Sequence, residues 1–145
     1  MLYLTQDIGH RLRLHEMMAG GVQITVKDNG LACRQYQTQL PAATQSPMEL
    51  AVAARGLFEN NYDWHTFVRA VTVRAINLEP LCMPRQLALF DYAARRAKLQ
   101  KIDDTVEMVR GRFGKWSVRP ASLLGSLKTP GESCHELIMP GSMHG

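Results

Sequence analysis

One stretch of this 145-residue chain has the residue types of a recognition element, Gln86-Leu87-Ala88-Leu89-Phe90-Asp91. A glutamine followed by spaced leucines and a phenylalanine has the form of a short docking peptide. The amide of Gln86 can hydrogen-bond at the rim of a partner's pocket while Leu89 and Phe90, with Leu87 beside them, fill its apolar floor. Binding energy in such peptides concentrates in a few buried anchors, each contributing on the order of 2 kcal/mol or more. The alternative is that Leu87, Leu89 and Phe90 pack the chain's own core.

Residues for covalent or metal chemistry do not form constellations. GxSxG, Walker, GxGxxG and HExxH patterns do not occur. Asp103 and Asp104 are adjacent, and on a helix neighbours point about 100° apart, so they do not make a metal pair. Their expected role is favourable charge near a helix N-terminus. His15 and Glu16 stand side by side at the surface of a helix with nothing to share a proton. Cys33, Cys82 and Cys134 are scattered and odd in number, which argues against a disulfide framework or a CxxC site and fits a reducing cytoplasm. Cys33 reads as an inert, half-buried strand thiol, and His135 and His144 have no companions at zinc spacing. No catalytic residue, metal site or cofactor is expected in this chain. It reads as a binding module.

Charge is uneven along the chain. Residues 1–91 hold 8 Lys/Arg and 8 Asp/Glu, whereas residues 92–128 hold 9 Lys/Arg against Asp103, Asp104 and Glu107. Such a basic block suits nucleic acid or an acidic partner, or else a solvated helix. No apolar run approaches membrane-span length and no signal-peptide pattern opens the chain, so no membrane association is expected.

The elements that must position these residues follow from periodicity. Leu4, Ile8 and Leu12 predict an amphipathic helix that Gly20-Gly21 should end. Val22, Ile24 and Val26 alternate with Gln23, Thr25 and Lys27 as a half-buried strand, and Asp28-Asn29-Gly30 signals a turn. A polar second strand spans Ala32 to Leu40, with Arg34, Tyr36 and Thr38 on one face and glutamines on the other. Ser46 as N-cap and Pro47 at the first position open a helix to about Asn60-Asn61. Tyr62-Asp63-Trp64 forms a loop, and Val68 to Ile76 is a third strand. A short basic helix from Tyr92 to Gln100 is followed by an amphipathic one through Leu99, Ile102, Val106, Val109 and Phe113, ending at Gly114. Trp116 to Arg119 reads as a short extended piece. The predicted fold class is α+β: a ferredoxin-like βαββαβ unit lacking its first strand, with a C-terminal helical extension and a mobile tail. The expected divisions are 1–79 for the α/β domain, 80–91 for the docking segment, 92–124 for the extension and 125–145 for the tail. A missing strand would leave a sheet edge to be covered.

Three stretches resemble one family. Val68-Arg-Ala-Val-Thr-Val-Arg-Ala-Ile-Asn-Leu78 is similar to the last strand of the C-terminal "little finger" domain of Y-family (UmuC/DinB-type) translesion DNA polymerases. Gln86 to Asp91 resembles the sliding-clamp-binding peptide that follows that strand in bacterial members. Arg110-Gly-Arg-Phe-Gly-Lys115 with Val118-Arg-Pro-Ala-Ser-Leu-Leu124 resembles the ending of the same proteins. Order and spacing together, across residues 2–124, make the resemblance specific.

That resemblance implies a domain that tracks primer-template phosphates through its sheet while palm, thumb and finger domains, with Mg2+, perform nucleotidyl transfer. Carried over by position, Arg69, Thr72 and Arg74 should approach the DNA backbone, with small Ala70 and Thr72 allowing close approach. Thr25 and Lys27 with Gln23 should share the open face, and Arg34, Tyr36 and Thr38 are the candidates on the second strand. Gln86, Leu87, Leu89 and Phe90 should dock on a bacterial clamp. Such contacts position a duplex without reading bases. SOS-linked damage bypass in a cytoplasmic, nucleoid-associated setting is implied. Without a palm the chain is not expected to polymerise DNA alone, and Gln35, Gln37 and Gln39, where family hairpins often carry arginines, suggest weak affinity. The rival readings are a non-catalytic, clamp-docking repair adaptor and an RNA-binding ferredoxin-like module; the latter lacks paired strand aromatics, since Tyr36 stands alone.

Overall fold

The computed structural model describes residues 1–82, 92–114 and 117–123, with the side chains of residues 92–96 excepted. The docking peptide and the segment from residue 124 onward therefore lie outside the described residues.

The apolar–polar alternation of Val22 to Lys27 places β1 (Met17–Asp28) at the centre of an antiparallel sheet, between β2 (Cys33–Thr44) and β3 (Val68–Pro80). Two helices, α1 (Leu2–Leu14) and α2 (Pro47–Asn61), pack with Val22, Ile24 and Val26 in a core completed by Leu12, Ala19, Leu50, Ala54 and Tyr62. With these three antiparallel strands and helices the fold is α+β and compatible with a ferredoxin-like little finger. Helices α1 and α2 meet closely at Gly9, where a Cβ would stand 2.7 Å from the Pro47 Cγ. Gln45, buried before α2, donates to the Met17 carbonyl at 2.8 Å and so ties the α1–β1 turn to the end of β2.

Several boundaries differ from the sequence reading. Helix α1 stops at Leu14, not at Gly20-Gly21, because Glu16 turns the chain at φ 52 and β1 starts at Met17. His15 and Glu16 thus lie beyond the helix. Gly21 serves sheet packing: a Cβ there would sit 2.8 Å from the Thr38 carbonyl oxygen. Strand β2 runs through Pro41 to Thr44, with an irregularity between the Gly21–Gln39 and Ala19–Thr44 pairs. Proline is tolerated there because β2 is an edge strand. Strand β3 extends to Pro80. Ser46 precedes α2 as expected and Pro47 opens it, but the Ser46 hydroxyl makes no capping bond. Cys33 is exposed, not half-buried.

The two expected C-terminal helices are one continuous helix, α3 (Tyr92–Phe113), closed by Gly114 at φ 94. Ser117 and Val118 form a bend instead of an extended piece, before a short 3-10 turn at Ala121–Leu123. Of the apolar stripe foreseen on α3, Val106 and Val109 are half-buried while Leu99, Ile102 and Phe113 are exposed.

Candidate nucleic-acid interface

The hairpin turn decides which side chains reach the open face of the sheet. A two-residue turn at Asn29-Gly30 would pair residue 24 with residue 35. Instead the Leu31 N–H bonds the Asp28 carbonyl, and Leu31 adopts φ 67 before Ala32 closes the loop on Asp28. That left-handed residue adds one position, as in bulged three-residue hairpins. Ile24 therefore faces Tyr36, Val22 faces Thr38 and Val26 faces Arg34. A one-residue change of register moves every side chain of a strand to the opposite face.

Arg34, Tyr36 and Thr38 consequently share the helix-side face, and Tyr36 packs against the core. This corrects their expected grouping with the open-face residues. The open face presents three cross-strand rows: Gln37, Gln23 and Arg74; Gln35, Thr25 and Thr72; Cys33, Lys27 and Ala70. Thr25, Lys27, Thr72 and Arg74 are thus brought together as expected. Arg69 is the extra residue of β3 where the register shifts between Lys27–Ala70 and Asp28–Val68, and it is exposed.

No carboxylate stands in these rows. Lys27 and Arg74 supply positive charge on a surface otherwise made of amides, hydroxyls and a small alanine. Glutamine amides and threonine hydroxyls can hydrogen-bond phosphate oxygens but contribute little to long-range attraction of a polyanion. The surface can therefore hold a phosphate backbone at short range, with modest electrostatic steering. No group of three or more potential metal ligands occurs among the described residues.

The basic extension docks through its acidic side. Arg13, its side chain 15% exposed, stands 3.5 Å from Asp103, 3.6 Å from Asp104 and 4.0 Å from Glu107. His10 Nδ1 contacts Glu107 as well. Arg110 donates to the Val118 carbonyl at 2.8 Å and to Gln6 Oε1 at 3.2 Å. Asp103 and Asp104 thus sit within α3 and face α1, instead of stabilising a helix N-terminus. Lys98, Lys101 and Arg112 remain exposed. The contacts between α3 and α1 join positions ninety or more residues apart, which periodicity cannot register.

A family model described as the impB/mucB/samB family C-terminal domain matches residues 1–89. The chain is 36% identical over 121 residues to a DNA polymerase IV of Acetivibrio thermocellus, covering 83% of this chain and 30% of that protein. It is 26% identical over 124 residues to a DNA polymerase IV of Treponema denticola, covering 86% and 31% respectively. The chain therefore spans about a third of the length of these curated relatives.

Proposed function

This chain belongs to the impB/mucB/samB family through its C-terminal domain, and on that premise we propose that it is the duplex-tracking, clamp-docking end of a Y-family translesion DNA polymerase. The observation that carries the DNA-binding part is the carboxylate-free open face, where Lys27 and Arg74 stand among Thr25, Thr72 and Ala70. Phosphate contacts from such residues fix the position of a duplex without reporting its sequence, which suits synthesis across damaged templates. Arg69, the unpaired residue at the register shift, adds an exposed cation at that end of β3. Nucleotidyl transfer, and the Mg2+ it requires, belongs in this reading to palm, finger and thumb domains of the parent polymerase, for which this domain is a partner.

Clamp docking rests on the peptide Gln86 to Asp91. Its glutamine and its Leu89–Phe90 pair are suited to a polar rim and an apolar floor.

Two titrations test the proposal. Fluorescence anisotropy with labelled primer-template duplexes of unrelated sequence is expected to give similar, salt-sensitive affinities. Micromolar binding to a bacterial sliding clamp is expected to disappear in Leu89→Ala with Phe90→Ala while the fold persists. A chain that prefers one duplex sequence, or a double mutant that binds the clamp as before, would overturn the corresponding half.

A further inference from the structure

We infer that the loop from Tyr62 to Phe67 is a stacking platform for unpaired bases of DNA, with Trp64 and Phe67 as the rings that receive them. The inference rests on the reading of the sheet as a duplex-tracking surface and extends it to the single strand that leaves the duplex. Trp64 is 75% exposed and Phe67 81% exposed, an unusual disposition for two large rings three residues apart. The Trp64 ring is held by its neighbours and Phe67 by its backbone. The Trp64 ring meets Phe58 at 5.5 Å and Tyr62 at 5.6 Å, edge to face, while Phe58 and Tyr62 stack at 5.0 Å. Tyr62 is 6% exposed, and its hydroxyl bonds the Thr66 carbonyl at 2.9 Å. The Phe67 carbonyl in turn accepts the Asn29 N–H at 3.0 Å. The loop is thus braced at both ends while its two largest apolar groups remain in solvent.

Its location selects the occupant. The Asn29–Phe67 bond continues the ladder beyond Asp28–Val68, so Phe67 lies at the end of the sheet that carries Lys27 and the extra residue Arg69. In the β1–β2 turn and the 62–67 loop themselves, the carboxylates are Asp28, turned onto the Ala32 N–H at 2.9 Å, and Asp63, exposed on the loop. Exposed rings at a sheet end that also carries cations are the combination that holds single-stranded nucleic acid, because every base has a face to stack and every nucleotide a phosphate to neutralise. Paired bases inside a duplex offer no free face, so the platform serves a strand leaving the duplex.

The test uses the full chain carrying Trp116→Phe, so that tryptophan emission reports Trp64. A blunt duplex and the same duplex with a single-stranded overhang are titrated in parallel. The overhang is expected to tighten binding about tenfold, the order that aromatic stacking of a base supplies, and to quench Trp64 emission. Trp64→Ala and Phe67→Ala should each erase that gain and leave blunt-duplex affinity intact. Phe67→Ala is the safer variant for folding, since its ring makes no ring–ring contact among the described residues. Equal affinity for blunt and overhung duplexes, or a gain that survives both variants, overturns the platform while the sheet reading stands. Variants that bind all DNA normally but lose a protein contact overturn it in favour of a protein occupant. Failure of the unsubstituted chain to bind blunt duplex overturns the sheet reading instead.

Discussion

Tyr36 lies directly opposite Ile24 across the β1–β2 ladder, and its ring therefore belongs to the helix-covered face of the sheet. The row that β2 turns outward is Gln35 and Gln37, flanking Thr25 and Gln23. One left-handed residue, Leu31, sets that outcome.

Tyr36 should accordingly matter for stability and not for DNA. Tyr36→Ala is expected to cost about 1–3 kcal/mol, less than a fully buried aromatic, with the loss of packing and a partly filled cavity as cause. Urea denaturation measures the cost. Duplex affinity, compared under conditions where both proteins are folded, should be unchanged.

The cations of β3 should behave in the opposite way. Arg69→Ala with Arg74→Ala is expected to weaken binding of all duplexes alike and leave the unfolding midpoint nearly unchanged. If each arginine neutralises one phosphate, the slope of log affinity against log salt falls by about 2. Gln37→Arg, which adds a cation to the row of Gln23 and Arg74, should strengthen binding and steepen that slope. Anisotropy at several salt concentrations reads both effects.

Leu31 holds φ 67, a backbone region in which a branched side chain is strained. Leu31→Gly is expected to stabilise the chain by about 1 kcal/mol, since glycine adopts that conformation freely and Leu31 is exposed, with little packing to lose. Thermal unfolding would show a higher midpoint. A lower one would mean that the side chain contributes more than the strain costs.

The docking of α3 on α1 depends on Arg13, which faces Asp103, Asp104 and Glu107. Arg13→Glu places like charges together and should release α3. Hydrogen exchange of the α3 amides is expected to accelerate while that of β1 does not. Asp103→Arg in the same chain should restore part of the protection. Raised salt should act on the wild type in the direction of the mutant, but less strongly because the pairs are partly buried.

Much of the architecture was legible in the residues, and the misses share a cause. The contrast between Val22, Ile24, Val26 and their polar neighbours is enough to orient β1, because only one face can be buried favourably. Ser46-Pro47 marks the start of α2 by local chemistry, and Leu4, Ile8 and Leu12 mark α1. Membership of the family was legible too, because the ordered motifs of β3 and the C-terminal segment survive as linear patterns. Both faces of β2, by contrast, are polar or mixed, so burial contrast could not choose between Tyr36 and Gln37. That choice fell to the ladder with β1 and to one residue's φ at the turn. Glycines at 20 and 21 read equally as a helix stop or as a close strand approach, and only the neighbouring Thr38 and Asn77 backbones distinguish them. The course of α3 and the exposure of Trp64 and Phe67 likewise depend on partners distant in sequence. What the sequence determined by itself were the elements and the faces that hydrophobic contrast can orient. Register and long-range ion pairing were decided in the tertiary structure, where a single turn residue or a charge some ninety positions away outweighs local pattern.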